Sequence, residues 1–269
     1  MVEISTANLL IALAVTTGAG LATGFGSLLV FASKKPNARI LAFGLAFAGG
    51  AMVYVSLSEI LNKSIFSFTQ GYGDKLGFTF GTLAFLTGVG MIVLIDRLVP
   101  NPHERLEVDD PFFKEHNAEY IKRVGLLTAL AITAHNFPEG LATFFATLEN
   151  PAVGLPLAFA IAIHNVPEGI AIAVPVFYAT GNKTYAFVAC LLSGLAEPIG
   201  AILGYALLRP YLSDAVFGSV FGIIAGVMVF LALDELLPAA KRYAKGHETV
   251  YGLITGMGAL AVSLVLFKW

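Results

Sequence analysis

Two stretches of this sequence share one hexapeptide pattern: His135-Asn136-Phe137-Pro138-Glu139-Gly140 and His164-Asn165-Val166-Pro167-Glu168-Gly169. Each lies inside a long apolar stretch that holds almost no other charge. In a helix, residues four positions apart lie on one face, so each His shares a face with the Glu of its own motif. The Asn of each motif borders the same face. The doubled pattern therefore predicts a metal site that is built from two neighbouring helices.

The composition predicts an all-α polytopic membrane protein. Of the 269 residues, 57% are hydrophobic and only 13% are charged, whereas soluble domains average about 25% charged residues. The apolar runs reach roughly 20 residues or more, the length that a helix needs to cross a bilayer. The net charge of -2 gives no sign of nucleic-acid binding. One cysteine, Cys190, excludes an intrachain disulfide framework and a multi-thiolate metal site.

We predict eight transmembrane helices, which we call spans 1 to 8. Their predicted ranges are 8–33, 40–62, 75–98, 121–147, 151–179, 184–208, 214–238 and 249–267. The connections are short except for the polar segment 99–120, which contains His103, His116 and many acidic residues. We expect this segment to be a solvated loop, with metal capture by its histidines as the alternative.

The positive charges predict an orientation, because Lys and Arg are enriched in cytoplasmic loops. The loops after spans 1, 3, 5 and 7, with their flanks, hold all the Lys and Arg residues except Lys63, Lys75, Arg209 and Lys268. We therefore expect the odd-numbered loops to face the cytoplasm and both termini to lie outside it.

A weaker similarity relates the two ends of the chain. The segment Met52–Leu61 of span 2 resembles Met228–Leu237 of span 7 at a sequence offset of 176. Glycines of spans 1 and 6 pair at the same offset, and glycines of spans 3 and 8 pair at 175: Gly18 with Gly194, Gly24 with Gly200, Gly77 with Gly252 and Gly81 with Gly256. Chance similarity among glycine-rich apolar helices is the alternative.

If the similarity is a repeat, the unit 8–98 corresponds to the unit 184–267. Corresponding spans are five apart, an odd number, so the two units cross the membrane in opposite senses. Such inverted repeats occur in many transporters. The helix pair 121–179 lies between them, which gives a 3+2+3 plan within one transmembrane domain, 1–269.

The ionisable residues within the spans are few, and none of the deep ones is Lys or Arg. They are His135, Glu139, His164, Glu168, Glu197, Glu59, Asp234 and Glu235. A charged side chain at mid-membrane costs about 3 kcal/mol on insertion scales. Several carboxylates together therefore need a cation or protons to neutralise their charge. Such a group does not suit the passage of anions or sugars.

The ligand types favour a divalent first-row metal. Imidazole suits zinc, iron, copper and nickel, and carboxylate and carbonyl oxygens suit harder ions such as manganese. One metal position would be formed by His135, Glu139, His164 and Glu168. A second, richer in oxygen, would use Asn136, Asn165 and Glu197, with Glu139 and Glu168 bridging the two ions.

Prolines lie beside the acidic residues at mid-span. Pro138, Pro167 and Pro198 lack an N–H, so the carbonyls of the residues four positions earlier lose their helical partners. Within a membrane, such carbonyls must be satisfied by protein, water or an ion. Kinked helices of this kind favour a polar cavity over a packed core.

Simpler interpretations remain for each element. A single His or Glu can be a structural polar contact between helices. Glu59, Asp234 and Glu235 are candidates for an additional metal or pathway position, but Asp234 and Glu235 can equally lie at an interface. As a whole, the chain could be a membrane-embedded metalloenzyme or a proton-relay channel. A zinc protease typically shows His-Glu-x-x-His and a di-iron bundle Glu-x-x-His, and neither pattern occurs here.

The two hexapeptides and Gly194-Leu195-Ala196-Glu197-Pro198 resemble the ZIP family of divalent metal transporters, and most of all its bacterial ZupT type. Asp96-Arg97-Leu98-Val99-Pro100 and Asp234-Glu235-Leu236-Leu237-Pro238 extend the resemblance over nearly the whole chain. It implies eight spans in a 3+2+3 plan and a two-metal centre. By motif position, His135, Glu139, His164 and Glu168 hold the first ion, and Asn136, Glu139, Asn165, Glu168 and Glu197 hold the second.

The resemblance also implies what the protein moves and where it lies. It implies uptake of Zn²⁺ into the cytoplasm, with Fe²⁺, Mn²⁺, Co²⁺ and Cd²⁺ as further substrates and no cofactor. The expected partners are divalent ions and membrane lipids, with a homodimer as an open alternative. The expected location is the bacterial inner membrane, with both termini extracytoplasmic.

Overall fold

We describe a computed structural model of the chain over residues 5–32, 38–98 and 118–268. Over these ranges the regular structure is helical throughout, and one long helical unit corresponds to each of the eight predicted spans. The prediction of an all-α membrane protein is therefore confirmed. Most of the predicted loop 99–120, with His103 and His116, lies outside the described residues. The side chain of His135 lies outside them too.

Five spans are continuous α-helices, and three are interrupted. The continuous ones are span 1, Thr6–Ala32; span 3, Asp74–Leu98; span 4, Ala118–Glu149; span 5, Pro151–Thr180; and span 8, Glu248–Lys268. The interrupted ones each have two α-helical segments: Ala38–Val55 and Leu61–Tyr72 in span 2, Lys183–Gly194 and Ala196–Leu208 in span 6, and Asp214–Leu231 and Leu237–Tyr243 in span 7.

Most of the spans are long and apolar enough to cross a membrane. Seven of them meet this criterion within the described residues, and the remaining one, span 4, has 32 residues. At 1.5 Å per residue, span 4 is longer than the roughly 30 Å hydrocarbon core. Large apolar side chains on the outer surface, such as Phe25, Leu207 and Leu266, are more than 60% exposed. These side chains would face lipid, so they carry no cost in a membrane.

Short polar turns connect span 4 to span 5 and span 5 to span 6. Asn150 ends the turn before span 5, and its side chain accepts a hydrogen bond of 3.0 Å from the N–H of Ala152. Gly181 closes span 5 with φ of 64°, a left-handed conformation that favours glycine. Asn182 then caps span 6 by accepting from Thr184 N–H at 2.8 Å. Such tight connections force neighbouring spans to run antiparallel.

Spans 2 and 7 each contain one π-helical turn. The turns are Ser56–Ile60 and Ala232–Leu236, and they are related by the same offset of 176 that pairs these spans in the sequence. A π turn inserts one extra residue into a helix and shifts the faces that follow it. Glu59 and Glu235 occupy the same position within their turns. Sequence reasoning paired these two segments, but it predicted ordinary helix in both.

Glycines allow the helices to pack with their backbones in contact. A Cβ on Gly50 of span 2 would meet the carbonyl of Leu253 in span 8, and a Cβ on Gly226 of span 7 would meet that of Phe85 in span 3. Since a larger residue would separate each pair, these glycines fix span 2 against span 8 and span 7 against span 3. Spans 1, 4, 5 and 6 form the remaining group, which contains both hexapeptides.

Candidate metal centre

Spans 1 and 6 cross at a point where two glycines face each other. A Cβ on Gly20 would meet the carbonyl oxygen of Gly194, and a Cβ on Gly194 would meet that of Gly20. The Gly194 carbonyl is one that proline frees, because Pro198 has no N–H to donate to it. Span 6 turns here at Leu195, between its two helical segments. The crossing therefore brings the Glu197-Pro198 step of span 6 next to span 1.

The two hexapeptides lie on either side of this crossing. Gly140, which ends the first motif, packs on the backbone of Glu197 in span 6, and Gly169, which ends the second, packs on the backbone of Thr23 in span 1. Each motif is thus held against a different partner helix by the same residue of the pattern. This contact explains why each motif ends in glycine.

Three predicted ligands come together between spans 4 and 5. Glu139, His164 and Glu168 are completely buried, and each offers a ligand atom within 4.8 Å of the others. The Nε2 atom of His164 lies 3.0 Å from Oε1 of Glu139, across the two helices. Atoms at these distances can coordinate one ion together. His164 and Glu168 come from span 5, and Glu139 comes from span 4.

Two asparagines and Glu197 lie beside this group. Asn165 donates from Nδ2 to Oε1 of Glu197 at 2.6 Å and to the carbonyl of Ala19 at 2.8 Å. Asn136 donates to the carbonyl of Ser193 at 3.1 Å. All three predicted residues are fully buried. These hydrogen bonds fix both amides with their Oδ1 atoms left as acceptors.

The buried group contains more acceptors than the protein satisfies. The side-chain atoms that have no hydrogen-bond partner among the described residues are Asn136 Oδ1, Glu139 Oε2, His164 Nδ1, Asn165 Oδ1, Glu168 Oε1, Glu168 Oε2 and Glu197 Oε2. Buried polar atoms are normally paired, because an unpaired one costs free energy. The carboxylates of Glu139 and Glu197 also repel that of Glu168. Oxygen and nitrogen acceptors that converge in this way fit a cation.

The three other acidic residues that the sequence suggested are not members of this group. Glu59 is on the π turn of span 2, and Asp234 and Glu235 are on that of span 7, all three partly buried. They are not part of the cluster of potential ligands found among the described residues. Sequence reasoning missed Ser193 and Ala19, which position the two asparagines through backbone carbonyls. Every residue has a backbone carbonyl, so no signal in the sequence could have identified the two that accept these hydrogen bonds.

Carboxylate, imidazole and amide groups buried at the middle of a bundle of membrane-spanning helices are typical of a membrane protein that moves cations. A family model described as ZIP Zinc transporter matches residues 113–264. A protein named Zinc transporter ZupT from Xanthomonas axonopodis pv. citri is 76% identical over 269 residues, covering all of this chain and 99% of its own length. The chain belongs to the ZIP zinc transporter family and is of the ZupT type.

Further relatives carry the same name. The Zinc transporter ZupT of Stenotrophomonas maltophilia is 74% identical over 269 residues, with all of both chains covered. That of Oceanobacillus iheyensis is 49% identical over 265 residues, covering 96% of this chain and 98% of its own length. The family predicted from the hexapeptides is thereby confirmed. So is the prediction of a transporter and not an enzyme, which removes the metalloenzyme alternative.

Proposed function

We propose that this protein carries Zn²⁺ into the cytoplasm through the centre formed by Glu139, His164 and Glu168. One observation carries the proposal: buried carboxylate, imidazole and amide acceptors converge between spans 4, 5 and 6 without partners of their own. Zinc binds imidazole nitrogen and carboxylate oxygen at about 2.0–2.2 Å. Membership in a family of zinc transporters supports zinc as the ion.

We further propose two metal positions at this centre. The first would use His135, Glu139, His164 and Glu168, and the second Asn136, Asn165 and Glu197 with the two motif glutamates. The free Oδ1 atoms of both asparagines and the free oxygen of Glu197 support the second position. An oxygen-rich position suits harder ions than zinc. We therefore include Fe²⁺ and Mn²⁺ among the proposed substrates, and the family resemblance adds Co²⁺ and Cd²⁺.

The transport cycle follows from the chemistry of these ligands. A hydrated ion exchanges water for carboxylate and imidazole groups at mid-membrane, and it leaves when the centre becomes accessible from the other side. Release requires binding that is not too tight, and a mixed set with oxygen ligands serves this better than a closed thiolate site. Glu59, Asp234 and Glu235 are proposed as further positions along the pathway.

We also propose the inverted repeat and the 3+2+3 plan. The two π turns, which the offset of 176 superimposes, support the match between spans 2 and 7. The motif contacts support a match between spans 1 and 6. Gly26 of span 1 approaches the carbonyl of Val166 in the second motif. Gly200 of span 6 approaches the carbonyl of Phe137, which holds the same position in the first motif.

The contacts favour different glycine pairs from those that the sequence suggested. In spans 1 and 6, Gly20 and Gly194 face each other where the two helices cross, which favours an offset of 174 instead of 176. In spans 3 and 8, Gly88 approaches the carbonyl of Ile223 and Gly256 approaches that of Phe47. The offset of 176 between spans 2 and 7 matches Phe47 with Ile223. The glycines that approach these two carbonyls, Gly256 and Gly88, therefore correspond to each other, at an offset of 168. Glycine spacing alone could not reveal these changes of offset.

The unit boundaries and the orientation complete the proposal. The repeats are 8–98 and 184–267, the metal-binding pair is 121–179, and the segment 99–120 is a cytoplasmic loop. The excess of Lys and Arg in the odd-numbered loops supports termini on the extracytoplasmic side of a bacterial inner membrane. A homodimer stays a prediction.

Transport assays test the proposal directly. Purified protein in liposomes loaded with a fluorescent zinc indicator should give a signal above that of empty liposomes when zinc is added outside. The same assay with and without a pH gradient separates a metal carrier from a proton-relay channel. A proton flux that needs no zinc, with zinc uptake no faster than in empty liposomes, would refute the proposal.

Acid should weaken transport. Metal binding requires a neutral imidazole and ionised carboxylates, so protons compete with the ion for the ligands of the centre. We expect initial zinc uptake at pH 5.5 to be several-fold lower than at pH 7.5, with the loss expressed mainly as a higher KM. The measurement is the initial rate in liposomes with equal pH on both sides. Uptake that rises as the pH falls would contradict this competition.

A further inference from the structure

A polar cavity lies near the C-terminal end of span 4, away from the metal centre. It has a volume of about 480 Å³ and is formed by span 2 together with the hairpin between spans 4 and 5. Glu59 and Lys63 line it from span 2, and Glu149 and Asn150 line it from the hairpin. Glu149 follows Glu139 by ten residues in one helix, so the cavity lies about 15 Å from the centre along span 4. In the proposed orientation this is the outer mouth of the pathway.

Lys63 is the only positively charged side chain among the described residues that line this cavity. Its ammonium interacts electrostatically with Glu149 and with Glu59. It also lies 5.5 Å from the centre of the buried Phe221 ring, in span 7. The ring face and the electrostatic attraction of the two carboxylates hold the lysine head in place. Lys63 is therefore partly buried and directed into the bundle.

The charges around the cavity are otherwise acidic. Glu59 and Glu149 line it, and Asp214, at the start of span 7, repels Glu149 from nearby. Carboxylates at the mouth of a cleft with low-dielectric walls raise the local concentration of cations. A lysine ammonium near these carboxylates partly cancels this effect, because it is a compact positive charge.

We propose that Lys63 is a specificity-determining residue, a tethered cation that an incoming dication must displace from the outer mouth. This inference rests on the proposed uptake function and orientation. A doubly charged ion interacts with the two carboxylates more strongly than the ammonium does, whereas a monovalent ion has no such advantage. Lys63 therefore lowers the apparent affinity for every cation and disfavours monovalent ions most.

Kinetic constants of Lys63 variants test this role. Removing the charge with Lys63→Gln should lower the KM for zinc about three- to tenfold, with kcat changed by less than about twofold. Lys63→Arg keeps the charge and should keep the KM near the wild-type value. The matched control is Lys75→Gln, which removes an exposed lysine at the start of span 3 on the same side and should change neither constant.

A structural role for Lys63 would give a different result. If the lysine only fastens span 2 to the hairpin, Lys63→Gln would lower the amount of folded protein and leave the KM unchanged or raise it. Either KM result would overturn the proposal.

Chemical modification provides a test within one protein sample. The native cysteine, Cys190, is buried, so a Lys63→Cys variant offers an accessible thiol to polar reagents. A methanethiosulfonate reagent carrying an ammonium should raise the KM of this variant toward the wild-type value, and one carrying a sulfonate should not. Mass spectrometry confirms the modification. An equal KM after both reagents would contradict the charge mechanism.

Failure of the proposed function and failure of the Lys63 role give different results. If wild-type protein moves no zinc in liposomes, the proposed function is wrong. If wild-type protein moves zinc and Lys63→Gln, Lys63→Arg and wild type share one KM, only the role of Lys63 is wrong.

Discussion

Replacing Glu168 by alanine should reduce zinc uptake at least about 100-fold. Removal of residues that merely support metal ligands already costs about 10- to 100-fold, and Glu168 presents two unpartnered oxygens to the centre. Glu139→Ala should have the same effect, because its carboxylate lies 3.0 Å from His164 and completes the group of three. The measurement is the initial rate of uptake of radioactive zinc by cells that lack their own zinc importers.

Two variants control for loss of folding and for loss of any carboxylate. Glu168→Gln keeps the shape of the side chain and one acceptor oxygen, so it should fold normally and still lose most uptake. Glu248→Gln removes a carboxylate that pairs with Arg39 at 3.3 Å, where spans 2 and 8 begin. This variant should transport normally. Uptake near the wild-type rate by Glu168→Ala, at equal amounts in the membrane, would refute the site assignment.

Gly20→Ala should severely destabilise the protein. The added Cβ would meet the carbonyl of Gly194, and both groups belong to the backbone of packed helices. Spans 1 and 6 would have to separate, and overpacking of this kind costs about 1–3 kcal/mol or more. We expect a clearly lower thermal midpoint in detergent and a large loss of folded protein from the membrane.

Gly18→Ala is the matched control for this variant. It changes the same residue type two positions earlier in span 1, where an added Cβ has nothing within 4 Å. Alanine favours a helix over glycine by about 1 kcal/mol, so Gly18→Ala should keep or raise the thermal midpoint. Midpoints of the two variants that do not differ would show that spans 1 and 6 do not cross at Gly20.

Much of the site could be predicted from the sequence because chemistry and spacing coincide in the hexapeptides. His164 and Glu168 lie four residues apart, and a helix must place them on one face. The second copy of the motif then implied a partner helix. The hydrogen bond from Asn165 to Glu197 joins two of the predicted residues across spans 5 and 6. Buried charge in an apolar run is rare enough to select these residues.

The remaining features depend on contacts between distant segments. The π turn at Ser56–Ile60 cannot be recognised from the sequence. An extra residue in a helical turn leaves no distinct mark in the spacing of hydrophobic residues. Lys63 and Glu149 lie near the ends of their spans, where charged residues are ordinary. Their shared cavity appears only when span 2 packs against the hairpin at Asn150. Long-range packing of this kind has no signature in local sequence.

Spans 4, 5 and 6 are proposed to hold divalent ions at mid-membrane. Anomalous diffraction from crystals soaked separately in zinc, iron and cadmium tests it most directly. We predict strong peaks within coordination distance of Glu139, His164 and Glu168, and a second peak near Asn136, Asn165 and Glu197. Peaks found only at the surface or in loops, with the buried carboxylates unoccupied at saturating metal, would contradict the account.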